Sequence, residues 1–301
     1  MTQTGPVWDP GEKSSTDENF PVASRLIAKR YRTTILSFYR FARAADDIAD
    51  HPSLSEDEKI GVLDQFEDTL LGKTDVIADA LPLREACDKH KLTVRHGQDL
   101  LVAFRWDASK HRYLDWPDLM RYCSYSAMPV GRFVLDVHGE NHNTWVASDA
   151  LCAALQVINH LQDCGHDYRR LGRVYLPSDS LAAHNAQIEE LAEAKASLAL
   201  LGCIRELNFK TKELLGSADL SGAVRNIRLG LEVAAIERLA RKLISFLEVR
   251  DPLSERVHLG KSDFAAILLT AVTLNLGRRI LRPFTLGAYR RRLHDQPDIR
   301  G

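Results

Sequence analysis

The stretch YRFARAADDIAD, residues 39–50, places three carboxylates at the end of an apolar helical pattern. Its polar residues at positions i, i+4, i+7 and i+11 are Tyr39, Arg43, Asp46 and Asp50. At about 100° per residue in an α-helix, these positions share one narrow face, and Asp47 lies at its edge. Apolar residues fill the other faces, so the pattern predicts a buried helix whose acidic stripe must meet something polar.

A second stretch, LCAALQVINHLQDCGHDYRRLGRVYLP at residues 151–177, repeats this arrangement. The polar residues spaced i, i+3, i+7 and i+11 are Gln156, Asn159, Asp163 and Asp167. They again form one polar stripe on a helix that is otherwise apolar. We call Asp46 with Asp50 the first acidic motif, and Asp163 with Asp167 the second.

Either motif alone is typical of solvated surface carboxylates, but two on apolar helices are harder to explain in that way. The remaining interpretations are ion pairs with arginines or a shared cation site. Mg²⁺ typically binds one or two carboxylates together with waters and phosphate oxygens. Two acidic motifs that face each other near Arg43 would therefore suit a diphosphate that binds with Mg²⁺.

Composition excludes several classes of protein. The chain has 301 residues and a net charge of -1, which gives no electrostatic reason to expect a nucleic-acid partner. The five cysteines form no C-x-x-C pair, so neither a zinc site nor a disulfide framework is indicated, and a cytoplasmic location fits. The N-terminus lacks the apolar region of a signal peptide, and the sequence contains neither a Rossmann fingerprint nor a P-loop.

Hydrophobic periodicity predicts a single all-α domain at 19–301, preceded by a flexible arm at 1–18. The predicted helices lie near 19–50, 56–71, 81–91, 93–109, 116–138, 146–169, 186–215 and 222–249, and another follows Lys261.

Two local features of the sequence add to this prediction. Pro129 and Gly131 predict a kink in the helix at 116–138. The arginine-rich segment 277–293 predicts either peripheral contact with an anionic membrane or a solvated basic tail.

With these motifs in view, the sequence resembles the squalene/phytoene synthases, which join two prenyl diphosphates head to head. The two acidic motifs carry the resemblance, together with RYCSYSAMPVGRFVL at 121–135 and FLEVRDPLSERVHL at 246–259. Three stretches are most similar to the branch that forms hydroxysqualene for bacterial hopanoids: ENFPVASR at 18–25, FARAADDIADHP at 41–52 and AMPVGR at 127–132. Sister enzymes usually carry Ser and Arg where this chain has Asn19 and Gln162.

The resemblance implies an isoprenoid synthase fold, a helical bundle around a deep apolar cavity with both acidic motifs at its mouth. By position, it implies the catalytic Mg²⁺ ligands Asp46, Asp50, Asp163 and Asp167, with Asn159 assisting. It implies diphosphate contacts from Arg43, Gln156 and Arg256. The residues implied to shape the substrate cavity are Tyr39, Phe20, Tyr122, Ser126 and Tyr175, of which Tyr175 would also order the loop that follows the second motif.

The activity that the resemblance implies is Mg²⁺-dependent ionisation of presqualene diphosphate, a prenyl diphosphate, and capture of the cation by water to give hydroxysqualene. No nicotinamide is expected, and Gln162, Ser126 and His160 are candidates to hold the water. One alternative is a presqualene diphosphate or squalene synthase that acts on farnesyl diphosphate. Another is a non-catalytic assembly factor of the same fold, which would be expected to lose carboxylates that this chain keeps.

Overall fold

The computed structural model describes residues 27–260 and Ile267, and this part of the chain is helical without strands. The helices are α1 (Lys29–Ala49), α2 (Glu56–Leu70), α3 (Leu81–His90), α4 (Arg95–Ser109), α5 (Trp116–Ser126), α6 (Met128–Val137), α7 (Trp145–Leu171), α8 (Ser178–Ala183), α9 (Leu198–Gly216), α10 (Leu220–Ala223) and α11 (Ile227–Leu247). Two short 3-10 helices span His142–Thr144 and Ile188–Ala192. The all-α prediction is confirmed.

The long helix α7 is the centre of the larger core. It packs against α5, α6, α9 and α11, and it buries Leu151, Val157, Ile158 and Leu161. Its last turn ends at Gly172, whose φ of +66° is a left-handed conformation that glycine adopts without strain. The chain therefore turns sharply after the second acidic motif.

The first helix, α1, belongs to a second cluster of buried residues. It packs against α2, α3, α4 and α6, and Phe38, Phe41, Ala45 and Ile48 lie in the core of that cluster. Both helices that carry acidic motifs are thus buried along most of their length, as their apolar patterns predict.

Two helix boundaries correct the predictions at the start and in the middle of the chain. Ala28 has an extended conformation directly before α1, so no continuous helix runs from Asn19 to Asp50, and residues 19–26 lie outside the described residues. The helix predicted at 116–138 divides at Ala127 into α5 and α6. Pro129 has no N–H to continue the helical hydrogen bonds across this point, and the predicted kink is confirmed.

The helix predicted at 186–215 is wrong in its first half. The short helix α8 and a 3-10 helix precede α9, which begins only after Ser197, whose side chain accepts a hydrogen bond from the backbone N–H of Leu200. Similarly, α11 begins after Asn226, which caps the N–H of Leu229. These two cap residues end the preceding loops because each satisfies a backbone donor that has no partner inside its helix.

No helix in the described part of the chain combines the length and the apolar character needed to cross a bilayer. Four predictions concern regions that lie outside the described residues, apart from Ile267: the arm at 1–18, Phe20, the helix after Lys261 and the basic segment at 277–293.

Candidate active site

A cavity of about 660 Å³ lies between α7 and the segment 252–258 that follows α11. Its lining residues are Arg43, Asn159, Gln162, Asp163, His166, Arg169, Pro252, Leu253, Ser254, Glu255, Arg256, Val257 and His258. Arg43, Asn159, Asp163 and Arg256 were predicted from sequence as site residues, and three separate parts of the chain bring them together. The lining is mainly polar and charged, so it suits the diphosphate end of a substrate, and the apolar part of the cavity stays a prediction.

Arg43 connects this cavity to the first acidic motif. Its Nη1 donates to Oδ2 of Asp46 at 2.9 Å, and its Nη2 donates to Oδ1 of Asp47 at 3.4 Å. The i, i+3 and i, i+4 spacings place these side chains one turn apart on the surface of α1. Asp46 is therefore held beside the cavity through Arg43, although Asp46 is not itself a lining residue.

The carboxylates of the two motifs affect one another. The Asp46 side chain is 34% exposed but lies in a recess of the protein. Burial in this recess, and then the negative charge of Asp50, raises the pKa of Asp46 to about 7, although the charge of Arg43 acts in the opposite direction. Burial and then Asp163 raise the pKa of Asp167 to about 6, with a smaller contribution from Asp50. Asp50 therefore lies close enough to both motifs for its charge to act on a residue of each.

This arrangement fits a divalent cation that binds together with phosphate oxygens. Among the described residues, no three His, Cys, Asp or Glu side chains gather closely enough to hold a metal ion alone. Mg²⁺ does not require such a cage, because waters and substrate phosphates usually complete its coordination. Carboxylates that repel one another, with the Asn159 amide beside them, are a donor set that a hard cation would stabilise.

Gln156 does not reach the cavity described here. Its Nε2 lies 3.0 Å from Nε2 of His160, and it is not a lining residue, so the structure does not bring it to Arg43 and Arg256. Its predicted contact with the diphosphate stays a prediction. Gln162 does reach the cavity, and its Nε2 donates to the backbone oxygen of Val257, which ties α7 to the segment that carries Arg256.

Tyr122 and Tyr175 lie in a buried polar network rather than on the lining of this cavity. Their hydroxyls donate to the two oxygens of Asp107, at 2.8 Å and 3.0 Å respectively. The rings of Tyr113 and His160 pack against them, and His160 stacks on Tyr175 with centroids 3.5 Å apart. This network fixes the side chain of Tyr175, which follows the second motif. The role of Tyr175 in ordering that loop and a wall for the substrate formed by these rings both stay predictions.

His160 is poorly suited to carry a proton in this position. Burial, followed by the nearby charge of Arg173, lowers its pKa to about 3. The structure also locates two other residues that were predicted from sequence to shape the cavity. Tyr39 lies on α1 one turn before Arg43, and Oγ of Ser126 is buried without a hydrogen-bond partner in the described part of the chain.

Sequence reasoning missed Arg173 and Asp107. Arg173 Nη1 donates to Oδ1 of Asp50 at 2.6 Å, and its Nε donates to the backbone oxygen of Asp107 at 3.1 Å. Neither residue belongs to a repeated pattern, so periodicity could not identify them. The available signal was the position of Arg173 directly after the helix-ending Gly172, at the end of the second motif.

Several known proteins resemble this chain in sequence and in fold. The family model described as squalene/phytoene synthase matches residues 14–263. Two bacterial relatives are called hydroxysqualene synthase. The one from Sinorhizobium fredii is 55% identical over 87% of this chain and 90% of its own, and the one from Rhodopseudomonas palustris is 51% identical over 89% and 92%. A solved squalene synthase from Alicyclobacillus acidocaldarius superposes with a TM-score of 0.68 at 28% identity, covering 77% of this chain and 88% of its own.

Proposed function

The chain is an enzyme that belongs to the squalene/phytoene synthase family, and we propose that it converts presqualene diphosphate and water into hydroxysqualene and diphosphate with Mg²⁺ as cofactor. The name shared by the two bacterial relatives supports this product. Their similarity extends over most of this chain, so it includes both acidic motifs and the segment that carries Arg256.

The observation that carries the proposal is the cavity that joins Arg43, Asn159, Asp163 and Arg256. Two arginines can bind the oxygens of a diphosphate, whereas the carboxylate and amide oxygens can bind the cation that accompanies it. Mg²⁺ would neutralise the negative charge that builds up on the diphosphate as it leaves. A protein that used these side chains only for ion pairs would have no need to arrange them around a cavity of this size.

The chain's own residues would act in the following order. Arg43 and Arg256 bind the diphosphate and stabilise it as the C–O bond of the substrate breaks and the electron pair leaves with oxygen. The resulting cation rearranges beside apolar and aromatic side chains, whose ring faces favour positive charge. Finally, the oxygen of a water molecule forms the new C–O bond, and the proton it loses passes to the departing diphosphate.

The proposal is tested by supplying purified protein with presqualene diphosphate and Mg²⁺, without NADPH, in water labelled with ¹⁸O. The expected product is a C30 alcohol that carries the label, detected by mass spectrometry. A parallel reaction contains farnesyl diphosphate instead. If farnesyl diphosphate is consumed while presqualene diphosphate is untouched, the protein catalyses the earlier head-to-head coupling and the proposed reaction is wrong.

A further inference from the structure

Arg173 joins three parts of the chain at the boundary between the two acidic motifs. Its guanidinium is buried, and its Nη1 donates to Oδ1 of Asp50 at 2.6 Å. Its Nη2 donates to the backbone oxygen of Ala49 at 3.2 Å, and its Nε donates to the backbone oxygen of Asp107 at 3.1 Å. The residue that follows the second motif thus holds the last residue of the first motif.

The charge of Arg173 is balanced on two sides. Asp50 is one neighbouring carboxylate, and the buried carboxylate of Asp107 is the other. Asp107 is in turn fixed by the hydroxyls of Tyr122 and Tyr175, so it cannot turn towards Asp50 or the solvent without breaking two hydrogen bonds. A buried guanidinium fixed at several points has little freedom to move, and it therefore defines where Asp50 lies.

The contact leaves Asp50 able to bind a cation. Only Oδ1 of Asp50 accepts a hydrogen bond from Arg173, and Oδ2 has no hydrogen-bond partner in the described part of the chain. The Asp50 side chain is 29% exposed, which leaves the second oxygen accessible from the site. One oxygen is therefore used for positioning while the other stays available.

We infer that Arg173 is a positioning residue that holds Asp50 opposite the second acidic motif, so that Mg²⁺ and diphosphate meet an assembled site. This inference rests on the proposed function, because it gives Asp50 the role of a metal ligand. Without Arg173, Asp50 would be repelled by Asp46 and Asp167 and would turn towards solvent. The cation would then have to bring the two motifs together itself, and it would bind more weakly.

Metal binding can be measured without turnover, using Mn²⁺ in place of Mg²⁺ and inorganic diphosphate in place of the substrate. The free Mn²⁺ concentration is followed by electron paramagnetic resonance. Residues that orient metal ligands typically change metal affinity about 10–100-fold, so Arg173→Gln should weaken Mn²⁺ binding by at least about tenfold. Arg173→Lys keeps the charge but loses the several-point attachment, and it should restore part of the affinity.

The matched control is Arg112→Gln. Arg112 is exposed, and its Nη1 donates to the backbone oxygen of Gly172, the neighbour of Arg173, without touching Asp50. The control removes the same charge from the neighbouring loop between α4 and α5, and it should leave Mn²⁺ affinity unchanged. If Arg173→Gln binds Mn²⁺ as tightly as the wild type, the positioning role is wrong.

The outcomes separate this inference from the proposed function. If the wild-type protein binds no Mn²⁺ in the presence of diphosphate, the proposed metal-dependent reaction fails, whatever the behaviour of Arg173. If Arg173→Gln does not fold, the double variant Arg173→Gln with Asp107→Asn removes the buried cation and the buried anion together. That variant should fold and still bind Mn²⁺ weakly, and wild-type affinity in it would overturn the inference.

Discussion

The hydroxyl of Tyr122 donates a hydrogen bond of 2.8 Å to Oδ2 of Asp107, and both side chains are buried. Tyr175 donates to the other oxygen of the same carboxyl group. Burial raises the pKa of Asp107 from 3.8 to about 6, although the charge of Arg173 and both hydrogen bonds oppose this effect. The network that fixes Arg173 therefore contains a carboxyl group whose ionisation costs stability.

This carboxyl should make the stability of the metal-free protein depend on pH. Because the pKa of Asp107 is higher in the folded state, the folded protein binds more protons between pH 4 and 6, and stability is lost as the pH rises through about 6. The two pKa values differ by about 2, and each unit corresponds to about 1.4 kcal/mol. Between pH 4 and 7, the wild type should lose up to about 3 kcal/mol relative to Asp107→Asn, measured by urea denaturation. A difference that does not change with pH would contradict this.

Replacement of one carboxylate in either motif should separate activity from stability. Asp46→Asn or Asp163→Asn removes a charge that would bind the cation, so we expect turnover of presqualene diphosphate to fall by at least about 10²-fold. The melting temperature in EDTA should stay the same or rise for Asp46→Asn, since the cost of burying the charge and the repulsion from Asp50 are both removed, against the loss of the ion pair with Arg43.

Asp47→Asn is the matched control for this experiment. Asp47 also pairs with Arg43, at 3.4 Å, but it lies at the edge of the acidic stripe. Its replacement should leave turnover close to that of the wild type. Equal losses from Asp46→Asn and Asp47→Asn would indicate that the charge of the helix matters rather than a defined ligand.

The parts of the site that could be predicted are those fixed by the geometry of one helix. Residues three or four apart share a face in any α-helix, so sequence alone placed Asn159 and Asp163 together on α7 and Arg43 with Asp46 on α1. The structure brings Arg43, Asn159 and Asp163 to one cavity. The same reasoning failed at 186–197, where capping residues rather than hydrophobic periodicity decide where α9 begins.

The contacts that could not be predicted join residues far apart in the chain. Arg173 and Asp50 are separated by 123 positions, and Asp107 is a lone acidic residue near the end of α4. Local sequence carries no information about which buried charge will meet which partner. Only the packing of α1, α4 and the loop after α7 brings Arg173 to Asp50 and Asp107.

Gln162 offers a test of the link between α7 and the segment that carries Arg256. Gln162→Leu keeps a similar volume but removes the hydrogen bond to the backbone oxygen of Val257. Losing this hydrogen bond leaves the buried carbonyl of Val257 unsatisfied, which costs about 1–3 kcal/mol of stability. The variant also removes Oε1 of Gln162, a buried atom that has no partner in the described part of the chain, and this gain offsets the cost. Stability should therefore change little, while KM for presqualene diphosphate rises because Arg256 is held less firmly.

Steady-state kinetics and product analysis check this prediction together. A raised KM with unchanged kcat and unchanged product supports the role of Gln162 in positioning Arg256. A lower proportion of alcohol in the products, with KM unchanged, would contradict it and would instead place Gln162 at the captured water.

The close approach of α6 to α7 provides a test of the fold that surrounds the site. A Cβ atom added at Gly131 would lie 2.6 Å from Sγ of Cys152 and would also clash with the Ser148 hydroxyl. Both partners lie on α7, the helix that carries the second acidic motif. Gly131→Ala should therefore destabilise the protein by about 1–3 kcal/mol, as overpacked cores generally do.

Gly61→Ala is the matched control, because Gly61 is also helical but its added Cβ would meet no atom within 4 Å. This substitution should stabilise the protein by about 0.5–1 kcal/mol, since alanine loses less conformational freedom than glycine in a helix. Thermal and urea denaturation of the two variants should give changes of opposite sign. If Gly131→Ala is as stable as Gly61→Ala, α6 and α7 can move apart without cost, and the position of the second acidic motif does not depend on their packing.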